Sequence, residues 1–137
     1  MKVENALAPE PDNIREFMGV EGPVLMVNLL KFREKAAYPD GRDPELSGRE
    51  AYERYAEEME KLLQAHGGGI VFSAEVAGIL LGQVGELWDH VGIARYPSSK
   101  TLIEIASSEK FQAIEVHRTA GLAGQLNLTC TERPLGH

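Results

Sequence analysis

The chain has 137 residues, of which 43% are hydrophobic and 26% are charged, and its formal net charge is −7 at pH 7. This length is typical of one domain with its own core, so we predict a single domain over residues 1–137. The negative charge and the scattered Lys and Arg residues argue against a nucleic-acid partner. No apolar run is close to the roughly 20 residues that cross a bilayer, which argues against a membrane partner. Cys130 is the only cysteine, so no intrachain disulfide can form, and we expect a cytoplasmic protein.

The first elements in chain order are an arm and a buried strand. Residues 1–22 predict an N-terminal arm with a short helix that Asp12 caps. Residues 23–32, PVLMVNLLKF, are almost entirely apolar, which is typical of a strand buried on both faces. Asn28 is the exception, and a buried amide without hydrogen-bond partners costs about 1–3 kcal/mol. We therefore expect Asn28 to belong to a binding site.

A polar loop and the clearest helix of the chain follow. The loop covers residues 33–46, and loops of this length are often lids or partner contacts. A plain solvated loop is the alternative. Ser47 and Glu50 form a capping box, which predicts a helix over residues 48–66.

The second half of the chain predicts two strands, two helices and a closing strand. Residues 70–77 alternate between two faces, as in a half-buried strand, and residues 87–96 predict a third strand. Ser98 or Ser99, and then Ser108, predict the starts of two helices. Residues 125–131 predict the last strand, with Leu126, Leu128 and Cys130 on one face and Gln125, Asn127, Thr129 and Thr131 on the other.

The order of these elements is β-α-β-β-α-β over residues 23–134. This is the ferredoxin-like arrangement of the α+β class, a four-stranded antiparallel sheet with both helices on one face. The other face is left open, and the apolar side chains of residues 23–32 point to both faces. A large exposed apolar patch usually marks an interface. We therefore predict a homodimer that closes the two open faces against each other.

Several segments resemble one family in the same order. They are GPVLMVNLLKFREKAAY, SGREAYERYAEE, WDHVGIARYPS and SSEKFQAIEVHRTAGL, followed by a last strand. Over residues 10–134 the chain is similar to the family known as domain of unknown function 1330. The resemblance implies the dimeric α+β barrel fold, whose superfamily includes cofactor-free monooxygenases, lactone isomerases, haem-degrading enzymes, chlorite dismutases and ligand-sensing domains. It implies no agreed activity, and it marks Arg118 as the family's recurrent arginine.

Arg118 lies on the apolar stripe of its predicted helix, where a guanidinium needs a partner. One interpretation is a structural ion pair with a carboxylate such as Glu75, Asp89 or Glu104. The other is a clamp for the carboxylate of a bound ligand. The neighbouring His117 is a catalytic candidate, with a structural or solvated histidine as the alternative.

Polar side chains alternate with the apolar rows of two strands. Ser73 and Glu75 lie on the second strand and Asn127 on the last, and Asn28 and Arg95 can join them. If these side chains line the interior of the dimeric barrel, they form a concave pocket with a few polar groups, as small-molecule sites do. A carboxylate in such a pocket can serve as a general base with a raised pKa, which makes Glu75 a catalytic candidate. A wet dimer seam is the alternative.

The sequence has no nucleophile elbow and no zinc-ligand spacing. We therefore predict no metal and no cofactor, although a single axial His117 or His90 leaves haem as an alternative. Three functions stay open: a cofactor-independent acid/base enzyme or oxygenase acting on a small molecule, a non-catalytic ligand-binding dimer, and an interaction protein with a filled barrel. In the first, Arg118 orients the substrate, Glu75 or His117 moves a proton, and Asn28 donates to an oxyanion.

Overall fold

The computed structural model of the chain describes residues 6–86 and 88–135. The predicted single domain over 1–137 therefore includes residues 1–5, 87 and 136–137, which lie outside the described residues. The helices and strands are, in chain order, α1 (Pro11–Met18), β1 (Val24–Phe32), α2 (Gly48–Ala65), β2 (Gly69–Glu75), β3 (His90–Tyr96), α3 (Ser99–Ala106), α4 (Glu109–Gly121) and β4 (Leu122–Cys130).

Helix α2 begins where its sequence signals predict. The backbone nitrogen of Glu50 donates to Ser47 Oγ at 3.0 Å, and the backbone nitrogen of Ser47 donates to Glu50 Oε1 at 3.1 Å. This reciprocal capping box satisfies two of the donors that every helix start leaves unpaired. Gly67 follows the C-cap with φ at +83°, a left-handed conformation that glycine adopts without steric cost. The helix predicted over residues 48–66 is confirmed to within one residue.

Helix α1 begins differently from the prediction. It starts at Pro11, whose fixed φ suits the first helical position and whose missing N–H would be unpaired there anyway. The N-cap is Glu10, which makes no capping hydrogen bond with its side chain. Asp12 lies inside the first turn and pairs with Arg15 at 3.4 Å. The prediction that Asp12 caps this helix is therefore wrong.

The four strands form one antiparallel sheet in the order β2-β3-β1-β4. With α2 between β1 and β2, and α3 and α4 between β3 and β4, this is the predicted ferredoxin-like topology, and the α+β class is confirmed. The third strand begins at His90, and Leu87, where its start was predicted, lies outside the described residues.

The two faces of the sheet have different surroundings. Val24, Met26 and Leu30 of β1 are buried on the face that carries the helices, and the first two join side chains of α2 in the main core. Their neighbours at odd positions of β1, such as Leu25 and Val27, point to the opposite face and are half-buried. We call this opposite face the open face.

A β-bulge changes the predicted alternation of β2. Ile70 lies opposite Ala94 on the helix-bearing face, but Phe72 lies opposite Ile93 on the open face. The extra residue of the bulge shifts the register by one, which moves Phe72 to the other side of the sheet. The prediction that Ile70 and Phe72 share a face is therefore wrong.

The polar loop of residues 33–46 packs against the helices. Ala36 and Tyr38 are buried in a small cluster with Ala51 and Ala120. The backbone nitrogen of Ala37 donates to the oxygen of Ala120 at 2.9 Å. The loop is therefore part of the packed structure rather than a solvated excursion. No helix in the described ranges is long and apolar enough to cross a membrane.

Candidate functional site

A polar row crosses all four strands on the helix-bearing face. Its members lie directly opposite one another in the sheet register: Ser73 of β2, Gly92 of β3, Asn28 of β1 and Asn127 of β4. We call these four residues the polar row. Residues that face each other across antiparallel strands point to the same side of the sheet. Asn28 therefore shares the side of the buried Met26, and the row lies on the helix-bearing face, where Ser73 and Asn127 at its two ends are exposed.

This register contradicts the predicted barrel interior. Asn28, Ser73 and Asn127 point towards the helices of their own chain and not towards the open face, where a second copy would dock. Arg95 lies opposite Leu25, so its side chain points to the open face. It is the only predicted binding residue of the described sheet that does so. The sequence correctly placed Ser73 and Asn127 away from the apolar row of β4. It was wrong about which side of the sheet the polar side chains face and about grouping Arg95 with them.

The row has a gap at its centre. A Cβ atom added at Gly92 would meet no atom nearer than His90 Cδ2 and the backbone oxygen of Phe72, both at 4.0 Å. The centre of the helix-bearing face therefore has room for a methyl group at a position whose neighbours carry side chains. A glycine inside a strand often marks a point where a ligand approaches the backbone closely.

His90 lies beside this space. Its Nε2 lies 3.0 Å from Ser73 Oγ. Its Nδ1 is buried without a hydrogen-bond partner, the one such side-chain atom found within residues 6–86 and 88–135. Burial lowers the pKa of His90, and the positive charge of Arg49 lowers it further, while Glu75 acts in the opposite direction. The imidazole is therefore held in its neutral form, which keeps one ring nitrogen as a proton acceptor.

Three tyrosines occupy the layer between the sheet and the helices. Tyr52 and Tyr55 come from α2, and Tyr96 comes from β3. Burial raises the pKa of Tyr55 to about 12, and it raises the pKa of Tyr52 and Tyr96 as well. None of the three hydroxyls is hydrogen-bonded to another residue that the structure describes. The ring of Tyr52 lies 5.5 Å from that of Phe32 and 5.4 Å from that of Tyr55, so the phenols continue an aromatic wall. We call the polar row, His90 and these tyrosines together the inner site.

Arg118 is fully engaged within its own chain. It donates through Nη1 to Gln125 Oε1 and through Nη2 to the backbone oxygen of Leu7, both at 2.8 Å. Gln125 in turn donates to Asn28 Oδ1 at 2.7 Å. The nearest carboxylate is that of Glu115, at 3.7 Å. The predicted structural ion pair therefore forms with Glu115 and not with Glu75, Asp89 or Glu104. Arg118 also orients Asn28 through Gln125 and anchors the N-terminal arm.

Glu75 lies at the rim of the inner site. Its side chain is 72% exposed and forms an ion pair with Arg49 at 2.9 Å. The guanidinium of Arg49 also lies over the ring of Phe32, 4.6 Å from its centroid. The carboxylate of a buried general base is removed from water and from cations. Glu75 has neither property.

His117 lies elsewhere, under the polar loop. Its Nδ1 is 2.7 Å from the hydroxyl of Tyr38, to which Arg54 donates at 3.2 Å. Because Arg54 can only donate, Tyr38 accepts from it and gives its own proton to His117. Burial lowers the pKa of His117, and Arg42 and Arg54 lower it further. The structure thus separates the two predicted catalytic residues, Glu75 and His117, and gives each a partner of its own.

A shallow surface depression accompanies this loop. It contains none of the predicted site residues, and its acidic side chains already have partners: Asp43 pairs with Arg54, Glu45 pairs with Lys35, and Glu50 completes the capping box. It therefore offers no separate binding site.

Sequence reasoning named His90 only as an alternative haem ligand, and it placed neither His90 nor the three tyrosines in a small-molecule site. Tyr52 and Tyr55 fall at helical spacing among apolar residues, so they were assigned to the core stripe. A glycine at the centre of the third strand, on the same face as His90, is the signal that marks the site. Asn28, Ser73 and Asn127 were selected from the sequence, and the structure brings them together in one row.

The fold and the family agree with known proteins. The architecture defines a ferredoxin-like α+β protein. Residues 43–130 match the family described as domain of unknown function (DUF1330), and the chain belongs to this family. The family resemblance predicted from the sequence is therefore confirmed.

Three solved proteins are similar in structure. The methylated RPA0582 protein is 30% identical, with a TM-score of 0.87 over 97% of this chain and 98% of that one. Another crystal structure of RPA0582, a protein of unknown function from Rhodopseudomonas palustris, gives a TM-score of 0.84. It is 29% identical, and the match covers 96% of this chain and all of that one. SnoaB, a cofactor-independent oxygenase from Streptomyces nogalater, shares the fold with a TM-score of 0.53. It is 14% identical, and the match covers 85% of this chain and 100% of that one. A dimeric ferredoxin-like protein of unknown function from Thermobifida fusca gives a TM-score of 0.50 at 12% identity. The match covers 81% of this chain and 92% of that one. No curated protein matches this chain.

Proposed function

We propose that this protein binds a small, flat, largely apolar molecule in the inner site, between its sheet and helix α2. Such sites are typically apolar and aromatic pockets with a small number of polar groups that fix the orientation of the ligand. The inner site has this composition, with aromatic rings from Phe32 and Tyr52 and polar atoms from Asn28, Ser73 and His90. The shared fold of SnoaB supports small-molecule chemistry on this scaffold by analogy alone.

The observation that carries the proposal is the unpartnered Nδ1 of His90 beside the open space at Gly92. Buried polar atoms in native proteins are almost always hydrogen-bonded, and an unpaired one costs about 1–3 kcal/mol. A ligand or an ordered water over Gly92 would remove this cost. The three partnerless tyrosine hydroxyls offer further hydrogen bonds in the same layer.

We also propose that a second copy of the chain covers the open face. Phe72 and Leu128 are 49% and 45% exposed there, beside the half-buried Leu25 and Val27. Apolar area of this kind is typical of an interface. Arg95 then belongs to the seam between two copies rather than to the inner site. Light scattering at micromolar concentration should give the mass of a dimer, and the mass of a monomer would contradict this part of the proposal.

The experiment fills the space over Gly92. Gly92→Leu places a side chain in the inner site, and the matched control Gly85→Leu places the same side chain on an exposed loop where no atom lies within 4 Å. Binding is followed with 4-nitrophenol as the probe, and native mass spectrometry of protein from its own host looks for a retained compound. We expect the unsubstituted protein and Gly85→Leu to bind the probe and Gly92→Leu to lose it while keeping its thermal unfolding transition. Equal binding by all three proteins, or no binding by any, would contradict the proposed site.

A further inference from the structure

We infer that the inner site takes a hydroxylated aromatic compound, and that Nδ1 of His90 accepts the proton of the ligand's hydroxyl group. This inference rests on the proposed function and adds the chemical class of the ligand and a catalytic residue. In the step, the O–H bond of the ligand breaks, the proton forms a bond to Nδ1, and the electron pair stays on the oxygen. No electron changes hands, so no oxidant or cofactor is required for this step.

The geometry of His90 leaves one nitrogen for this task. Ser73 Oγ engages Nε2 at 3.0 Å and fixes the plane of the ring. In the tautomer with the ring proton on Nε2, which donates to Ser73 Oγ, Nδ1 carries a buried lone pair that no group in the described chain uses. Gly92, two residues further along β3 on the same face, carries no side chain, so a flat ring can approach the backbone there.

The charges around the site favour a neutral weak acid over a permanent anion. A carboxylate or phosphate ligand needs a cation close to it. Arg118 donates to Gln125 and Leu7, and Arg49 pairs with the exposed Glu75 at the rim. A phenol or an enol enters without charge, so it does not need those cations. After the proton transfer, the imidazolium and the oxyanion form a pair whose net charge is zero.

The side chains beside His90 form an aromatic cluster. The rings of Phe32 and His90 lie 6.3 Å apart, and those of Phe32 and Tyr52 lie 5.5 Å apart. Offset or tilted aromatic pairs at such distances are favourable by about 0.5–1.5 kcal/mol each. A hydroxylated ring would therefore find aromatic partners for its faces and polar partners for its oxygen.

His90 is neutral and ready to accept a proton at neutral pH. Burial and Arg49 of α2 lower its pKa, while Glu75 of β2 acts in the opposite direction; Ser73, Phe32 and Tyr52, which also surround it, are uncharged at this pH. A base whose pKa lies below the working pH is found in its accepting form. The phenolic hydroxyls of the inner site keep their own protons, since burial raises the pKa of each.

The test uses the colour of 4-nitrophenol, whose anion absorbs in the visible and whose neutral form does not. At the same pH, a larger fraction of the bound probe should be the anion in the unsubstituted protein than in a variant that lacks the Nδ1 acceptor. His90→Asn keeps a hydrogen-bonding oxygen near the place of Nδ1 but cannot take up a proton. With the probe at saturation, we expect this variant to lower the anion-to-neutral ratio of the bound probe by about tenfold, which corresponds to one pKa unit. His66→Asn, on an exposed histidine at the end of α2, should behave as the unsubstituted protein.

A second readout covers the case in which His90→Asn does not fold. In unsubstituted protein with ¹⁵N-labelled histidine, saturation with 4-nitrophenol should give the NMR shift of a protonated Nδ1 at His90 alone. An equal anion fraction in the unsubstituted protein and His90→Asn, or an Nδ1 that stays unprotonated with the probe bound, would overturn the inference and leave the binding site intact. Failure of the probe to bind at all would overturn the proposed function instead, so the two failures are distinguishable.

Discussion

The two part-buried histidines of this protein occupy opposite kinds of environment. Both have a pKa lowered first by burial, and both lie beside arginines. His117 has its Nδ1 bonded to Tyr38, and Tyr38 is bonded in turn to Arg54. His90 has its Nδ1 buried with no partner. His117 therefore completes a hydrogen-bond network under the polar loop, whereas His90 leaves a hydrogen-bonding position unused in the inner site.

The glycines of the two regions differ in the same way. A Cβ atom at Gly48 would overlap the backbone oxygen of Arg33, and one at Gly121 would overlap the backbone oxygen of Gly48. Under the polar loop the chain is packed until no atom can be added. At Gly92 an added Cβ atom meets only ordinary van der Waals contacts, at 4.0 Å. A region that is fully packed and fully hydrogen-bonded maintains the fold. A region that is neither is a candidate for binding a ligand.

The largest expected effect comes from the packed glycine. Gly48→Ala should lower the free energy of unfolding by about 3 kcal/mol, since overpacking forces the backbone of α2 and the loop apart. Gly92→Ala should leave it unchanged or raise it by up to about 1 kcal/mol, because the alanine meets open space and restricts the unfolded chain. Urea unfolding measures both, with Gly85→Ala as the control on an exposed loop. Similar losses at Gly48 and Gly92 would remove the contrast between the two regions.

The next largest difference in stability between the two regions should come from the removal of single hydroxyl groups. Tyr38→Phe leaves His117 Nδ1 and one donor of Arg54 without a partner, so it should cost about 1–3 kcal/mol. Tyr55→Phe removes a hydroxyl that bonds to no described residue, so it should change stability by less than about 0.5 kcal/mol. The two variants remove the same atom from a buried ring, and each is therefore the control for the other in thermal unfolding. A larger loss for Tyr55→Phe would mean that its hydroxyl has a structural partner in solution.

The sequence predicted the fold better than the site, and the reason lies in the side-chain period of strands. Capping residues such as Ser47 and alternation along β4 are local signals, so the helix and the polar face of Asn127 were predicted correctly. Which side of the sheet the helices cover is set by the whole chain. A shift of one residue reverses every side chain of a strand, as the bulge before Phe72 does, and such a shift leaves no local mark.

Partners in space were harder still to predict. Arg118 was given three candidate carboxylates, but it binds an amide seven residues away and a backbone oxygen of the N-terminal arm. Neither partner follows from helical spacing. The selection of Asn28 succeeded because a single amide in an apolar run is unusual in itself. His90 was missed because its importance comes from what it lacks, and a missing partner is visible only in three dimensions.

Acid should weaken the protein through both histidines. Because each pKa is lower in the folded chain, the unfolded chain binds more protons as the pH falls past the ordinary value of about 6.5. The stabilisation is fully present above that value and is lost progressively below it, so the free energy of unfolding should fall between about pH 7 and pH 5. At His117, protonation also removes the acceptor that Tyr38 uses. Urea unfolding at several pH values should give a shallower slope for His117→Asn and for His90→Asn than for the unsubstituted protein. A slope that neither variant changes would show that other groups carry the acid sensitivity.

The smallest effect is expected at the exposed carboxylate beside the inner site. Glu75→Gln removes the charge of an exposed ion pair and keeps an oxygen that can accept from Arg49, so stability should change by less than about 0.5 kcal/mol. If His90 is the proton acceptor, the variant should also ionise bound 4-nitrophenol as the unsubstituted protein does, apart from a small shift due to the lost negative charge. Glu53→Gln, on the exposed side of α2, removes the same charge away from the site and is the matched control. Loss of ionisation in Glu75→Gln with normal binding would instead identify the carboxylate of Glu75 as the base. The difference between the two histidines would then concern their packing and not proton transfer.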